Sequence, residues 1–239
     1  MKTKTLAGKN VFISGATGGI GKEIAISLAK KKCNLFLTGS NKEKLEGIAA
    51  SLQEYDVDIK YSHADLRDSK EIYALIDKAK NSMGNIDILV NAAGTFPNGL
   101  LLECDDADFD KTININLKSS FLFSKYFAKD MVSNKWGRII NIGSSSSYSG
   151  FTGTSIYCAT KHALLGLSRS LQDELKEHNI RTYCISPSST KTAMGKATKN
   201  QDYSTFIDPE DIAEYVTFII SFDSNIISDE VQLKRMFIR

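Results

Sequence analysis

Little in this chain points to a metal, a membrane or a nucleic acid. Only four cysteines occur in 239 residues, Cys33, Cys104, Cys158 and Cys184. None is part of a Cys-x-x-Cys pair or a Cys/His cluster, so neither a zinc site nor a disulfide framework is predicted. Four free thiols fit a reducing compartment, and the expected location is cytoplasmic. Net charge is weak: 30 basic against 28 acidic residues leave +2. That balance gives no reason to expect a nucleic-acid or membrane partner. Long apolar runs are missing too. The first, from Val11, stops after three residues at Ser14, so neither a signal peptide nor a membrane span is expected. Proline is confined to positions 97, 187 and 209, each a plausible loop or helix start. No internal repeat, low-complexity tract or linker divides the chain.

What is present is an alternation. Short apolar runs at 11–13, 35–37, 57–61, 86–90, 138–142, 180–185 and 230–233 read as strands. Between them, apolar residues recur three and four apart, as in Ile20, Ile24, Leu28 and in Ala163, Leu167, Leu171, Leu175. Apolar strands separated by amphipathic helices predict a parallel sheet covered on both faces. About seven strands and six helices fit the length, joined by right-handed crossovers into one doubly wound α/β domain over residues 1–239.

After the first strand the sequence reads Ser14-Gly15-Ala16-Thr17-Gly18-Gly19-Ile20-Gly21, and a helical pattern begins at once. Such a junction suits a phosphate: backbone N–H groups and the helix dipole face it, and glycine allows close approach. Gly15, Thr17, Gly18, Gly19, Ile20 and Gly21 are therefore candidate cofactor contacts.

A second constellation lies further on. Tyr157 and Lys161 stand four apart in a helical pattern and so share a face. An ammonium near a phenol lowers the phenol pKa, which suits a tyrosine that gives a proton to a carbonyl oxygen or takes one from an alcohol. Lysine can reach a sugar hydroxyl with its remaining donors. Ser144 lies thirteen residues before Tyr157, just beyond the strand at 138–142. Residues past the carboxyl ends of parallel strands line the ligand crevice, and a hydroxyl there can polarise a carbonyl. The run Ser144 to Ser147 is therefore read as a functional loop and not as a linker.

The spacing Gly15, Gly19, Gly21 resembles the short-chain dehydrogenase/reductase family, and motifs along nearly the whole chain extend the likeness. Asp65 in Ala64-Asp65-Leu66, Asn91-Ala92-Ala93-Gly94, Asn116, Ser144, Tyr157 and Lys161 occur in the family's order. The resemblance implies a Rossmann-type sheet of order 3-2-1-4-5-6-7, with residues 1–95 as the cofactor half and 96–239 as the catalytic and substrate half. It implies NAD(P) as cofactor, Tyr157 as acid/base and Ser144 as carbonyl anchor. Lys161 would tune Tyr157 and hold the nicotinamide ribose, and Asn116 would support a water-linked relay. Asp65 and Leu66, Asn91 to Gly94, Pro187, Thr190 and Thr192 would complete the cofactor site, with Thr192 at the carboxamide. A homo-oligomer, dimer or tetramer, packed through helices at about 105–130 and 154–178 is also implied.

The chain departs from the family pattern twice. Pro187-Ser188 stands where Pro-Gly is usual, and serine lacks glycine's freedom at positive φ. The C-terminus lacks the usual aspartate and two glycines, which puts tail-mediated tetramer contacts in doubt. The stretch from Met194 to Pro209 is short, so a small lid and an open site are expected.

An acidic residue at the end of the second strand would favour NAD. Here the strand ends Leu37-Thr38-Gly39-Ser40-Asn41-Lys42, with no Asp or Glu. Ser40 and Asn41 can donate hydrogen bonds to a 2′-phosphate, and Lys42 or Lys44 can supply charge, so NADP(H) is favoured. Around the site, Thr95, Phe96, Ser145, Phe151, Met194 and Tyr203 suggest a moderately apolar substrate pocket, Ser144 included. This suits reduction of a 3-oxoacyl thioester or similar ketone, small or carrier-linked. A dehydrogenase of sugar or polyol hydroxyls and a catalytically silent cofactor sensor are the alternatives.

Overall fold

The computed structural model describes residues 3–196 and 201–237. Seven strands form one parallel sheet in the order β3-β2-β1-β4-β5-β6-β7. They are β1 (Asn10–Ser14), β2 (Asn34–Gly39), β3 (Ile59–His63), β4 (Ile88–Asn91), β5 (Gly137–Ile142), β6 (Ile180–Pro187) and β7 (Glu230–Leu233). The helices are α1 (Gly19–Lys30), α2 (Lys42–Ser51), α3 (Ser69–Met83), α4 (Asp106–Ile113), α5 (Ser119–Asn134), α6 (Ser155–Leu175), α7 (Ala193–Lys196) and α8 (Pro209–Ile220).

β4 and β5 are buried along their whole length and β1 and β6 at all but one residue each, as continuous apolar runs in a parallel sheet require, and one apolar layer lies on each face. The first joins α1 and α8 to the sheet through Ile24, Leu28, Ile212 and Val216. The second centres on Phe12, whose ring lies 4.8 Å from Phe123 and 4.9 Å from Phe127. The aromatic residues of α5 thus divide: Phe123 and Phe127 are core, whereas Phe121 is 46% exposed.

Beyond small changes at strand ends, such as β4 at 88–91 for the run at 86–90, three elements differ from the sequence reading. The third strand is shifted two residues, from 57–61 to β3. Asp56 adopts a left-handed conformation (φ 53°) that ends the preceding turn, and Ile59 is the first residue to pair, with Leu35. Ser62 and His63 then pair through backbone alone at a solvent-facing edge, where no apolar pattern marks them. The helix expected at 105–130 is continuous from Asp106 to Asn134, but a π-helical turn at Asn114–Lys118 separates α4 from α5. The helix expected at 154–178 is α6 followed by a 3₁₀ turn, Lys176–His178. No helix among the described residues is long and apolar enough to cross a membrane.

Away from the carboxyl ends of the strands sits a fully buried arginine. Arg138, the second residue of β5, stacks on Trp136 at 4.3 Å and pairs with Asp223 at 2.9 Å. It also donates to the carbonyls of Ile220 and Phe222 at the end of α8. Asp223 pairs with Lys4 as well, so one carboxylate ties the N-terminal segment, α8 and β5 together.

Candidate active site

The carboxyl ends of β1, β4, β5 and β6 open onto one crevice. At its floor the loop after β1 turns through Gly15 at φ 71°, a conformation that glycine adopts without strain. A Cβ at Gly15 would lie 2.5 Å from the Ala93 nitrogen, so the glycine loop and the Asn91–Gly94 loop are in direct backbone contact. A Cβ at Gly21 would strike the Gly15 carbonyl. Gly18 caps α1 without a side-chain hydrogen bond, and no acidic residue lies in the helix's first turn. The uncapped N–H groups and the unopposed dipole fit an anion. A cradle that any Cβ would fill, beside such donors, fits the pyrophosphate of a dinucleotide. Thr17 packs on Gly39 at the end of β2, and Ile20 packs into the core.

At the adenosine end, Ser40 and Asn41 are exposed. Asn41 caps α2: its Oδ1 accepts from Lys44 N at 2.7 Å. The amide NH₂ is the part of that side chain left to donate. Lys42 leans along α2 to Glu46, 3.9 Å away. Asp65 sits just beyond β3, where its carboxylate accepts from the Arg67 guanidinium and backbone. Those bonds hold its pKa below the ordinary carboxylate value. Leu66 is buried in the core, so a cofactor can meet it only through the backbone. Asn91 is buried and donates to Asn141 at 2.8 Å; Asn141 in turn donates to Ser168. Its side chain braces β4 against β5 and α6.

Asn116, Ser144, Tyr157 and Lys161 do come together. Asn116 lies on the π-helical turn, fully buried. Its Oδ1 accepts from Thr95 N at 2.8 Å, and its Nδ2 donates to Thr95 O at 3.0 Å and to Thr160 Oγ1 at 3.1 Å. All the polar atoms of the Asn116 side chain thus hold protein partners, so the side chain clasps the β4–α4 loop to α6. Ser145–Ser147 form a one-turn 3₁₀ helix with Ser144 as its N-cap. Ser144 Oγ accepts from Ser146 N, and Ser147 Oγ accepts from Ser144 N, a reciprocal cap.

Tyr157 is 7% exposed, and Ser144 is the polar side chain that acts on its phenol. The Phe96 and Tyr157 rings meet at 90°, 4.7 Å between centroids. Burial raises the Tyr157 pKa above the ordinary phenol value, while Ser144 opposes the rise. The expected lowering by Lys161 is not what governs this phenol: the ammonium lies 5.6 Å from the ring centroid and donates to the Ile142 carbonyl at 2.7 Å. Burial pushes Lys161 itself down to about 8. Desolvation acts on both groups and favours their neutral forms.

Around this centre, Gly99 N donates to Gly153 O and joins the two loops that carry Phe96 and Phe151. Phe151 is 52% exposed and Met194 39%; Ser145 is half-buried. Tyr203 turns its ring to Phe206, 5.1 Å away, and to Lys196. Pro187 ends β6, and Thr190 is buried with its hydroxyl on the Ser188 carbonyl. The Thr192 methyl packs on the backbone of Gly19, and its hydroxyl accepts from Gly195 N. Ser188 is not among the residues at positive φ. The glycine usual there is therefore not needed for this loop path.

Residues 9–203 match the short chain dehydrogenase family. A 3-oxoacyl-[acyl-carrier-protein] reductase of Rickettsia conorii is 34% identical, over 94% of each chain. The chain belongs to the short-chain dehydrogenase family. It is an oxidoreductase of that family, built on the Rossmann-type sheet its motifs implied. Nodulation protein G of a Rhizobium species (strain N33) is 36% identical over 79% of this chain and 76% of its own. Among solved structures, a metagenomic short-chain oxidoreductase in complex with NADP superposes with a TM-score of 0.86 at 29% identity, covering 98% of this chain and all of the other.

Sequence reasoning missed Thr160, which receives Asn116, and Tyr148. The Tyr148 hydroxyl donates to Glu230, which also binds Arg169. That trio joins the serine turn to β7 and α6. Its members are 82 and 61 residues apart in the chain, and only the folded sheet brings them together.

Proposed function

We propose that this chain is an NADPH-dependent reductase of ketones, with 3-oxoacyl thioesters as the leading substrate class. The observation that carries the reading is the buried Tyr157 phenol, whose ring meets the edge of Phe96 and stands 5.6 Å from the Lys161 ammonium, with Ser144 acting on its proton. The nicotinamide, when bound, supplies the hydride. Ser144 polarises the carbonyl, and Tyr157 donates its proton to the oxygen, leaving an alcohol. A phenol raised by burial is protonated at neutral pH, which suits an acid and hence the reductive direction. The charge left on Tyr157 is stabilised by Ser144 and by the Lys161 ammonium. Asn116 holds Thr95 and Thr160, which flank the reacting groups.

The cofactor half is residues 1–95. Gly15 to Gly21 take the pyrophosphate, and Ser40 with the Asn41 amide takes a 2′-phosphate. Asp65, Leu66 and Asn91 to Gly94 line the adenosine and ribose side, while Pro187, Thr190 and Thr192 face the nicotinamide. Residues 96–239 supply catalysis and substrate contact through Ser145, Phe96, Phe151 and Met194. The NADP-bound neighbour and the relatives' names support NADP(H) and an acyl-carrier substrate. The cell compartment is cytoplasmic, as four unbridged cysteines suit.

The working form is a homo-oligomer through α5 and α6. Between these helices lies a hollow of about 470 Å³ lined by Phe121, Val132, Leu171 and Leu175, a concave apolar face for a second copy.

Parallel titrations with NADPH and NADH, followed by nicotinamide fluorescence, test the reading. Tight binding of NADPH with weak NADH is expected. The reverse order overturns the roles of Ser40 and Asn41.

A further inference from the structure

The two places where this chain leaves the family pattern touch each other. The Ser188 hydroxyl accepts from Arg235 N at 3.1 Å, and Ser188 N donates to Leu233 O at 2.8 Å. The residue that replaces glycine after β6 therefore fastens the C-terminal tail as it leaves β7. From that point the Arg235 guanidinium reaches forward. It donates to Thr205 Oγ1 at 3.2 Å and stands 5.1 Å from the Phe206 ring centroid. Phe206 is buried and packs against Gly195, where a Cβ would lie 3.4 Å from its ring. Gly195 belongs to α7, which is capped by Thr192, and the Thr192 methyl lies on Gly19 of the phosphate loop. A continuous line of contacts thus runs from the tail, through Arg235, Phe206 and α7, to Thr192.

The Arg235 Nε is buried and has no hydrogen-bond partner among the described residues. Leaving a donor in that state costs stability, so stability alone does not account for this placement. The arginine's planar group is suited to hold one hydroxyl and one ring at a fixed separation.

We infer that Arg235, fastened by Ser188, is a positioning residue that holds Thr192 in place for the nicotinamide end of the cofactor. The inference rests on the reading that Thr192 meets the carboxamide. Arg235 touches neither substrate nor cofactor. Its effect is confined to the part of the dinucleotide that Thr192 reaches.

The test compares a dinucleotide with the same molecule lacking nicotinamide. Calorimetric titrations would use NADPH against 2′-phospho-ADP-ribose, and NADH against ADP-ribose, on the parent and on R235A, R235M, R235K and S188G. For the pair that the parent binds, R235A and R235M should weaken the dinucleotide by about tenfold, the scale of one lost hydrogen bond. The nicotinamide-free partner should change less than about twofold, within one rotamer's adjustment. R235K, which keeps a donor toward Thr205, should recover most of the loss, and S188G should share part of it. Equal weakening of both ligands would show a general loss of fold and overturn the inference, as would no weakening of either. A parent that binds neither dinucleotide sinks the proposed function and this inference together. A parent that binds normally while R235A does too sinks the inference alone.

Discussion

Lys161 Nζ donates to the main-chain carbonyl of Ile142 at 2.7 Å, while the Tyr157 ring centroid lies 5.6 Å from it. The lysine is thus anchored first to the end of β5 and only second to its helical neighbour. Burial holds Lys161 at about 8, so it is charged below that pH in the folded chain and neutral above it. Tyr157 is shifted upward and stays protonated through the same range. For ketone reduction, kcat/KM should be flat through neutrality and fall above about pH 8 as Lys161 loses its proton. Lys161→Arg keeps a charge at all these pH values and should move that limb upward. An unchanged limb in the arginine variant would show that another group titrates there.

Removing the phenolic hydroxyl has a sharper consequence. Tyr157→Phe should lower turnover by at least about a hundredfold, the scale of a lost general acid, with NADPH binding kept. Near-normal turnover would end the assigned mechanism.

Asn116 makes three side-chain hydrogen bonds in a fully buried setting. Asn116→Ala leaves Thr95 N and O without partners and should cost about 1–3 kcal/mol of stability. Because Thr95 adjoins Phe96, kcat should fall as well, and Asn116→Asp should restore only the bond from Thr95 N. Thermal unfolding measured alongside kcat separates the two effects.

Arg138 offers the opposite case. Its partners lie at the end of α8, away from the crevice. Arg138→Met leaves Asp223 without its buried partner and should cost about 3–5 kcal/mol, with activity per folded molecule unchanged. The acid side of stability should respond too. Burial raises the Asp223 pKa, but hydrogen bonds from Lys4 and Arg138 outweigh it and hold the pKa below the ordinary value. Its contribution is present above the unfolded carboxylate pKa and lost as pH falls through the folded one. Asp223→Asn should flatten that acid limb in chemical denaturation.

How much of this was written in the chain order depends on distance. The buried strands announced themselves as apolar runs, and β1 and β5 fall within one residue of where those runs stand. Tyr157 and Lys161 were legible because a helix fixes the meaning of a four-residue interval. β3 was displaced because half of it pairs through backbone at an open edge. The partners of Asn116 and Ser188 were hidden for a deeper reason. Thr160 lies 44 residues from Asn116, and Arg235 lies 47 from Ser188. No periodicity relates residues whose meeting is decided by strand order.

The π-helical turn at Asn114–Lys118 has a bearing on how this protein could change over time. It acts as one surplus residue held inside a continuous helix, and each residue turns a helix by about 100°. The wide turn takes up that rotation locally, so the faces before and after it stay in register. Deleting one of the five residues would restore an ordinary α-helix and leave Phe123 and Phe127 on Phe12, but would take from Asn116 the wide turn that sets it against Thr95 and Thr160. The core could accept the shorter helix; the clasp on α6 could not.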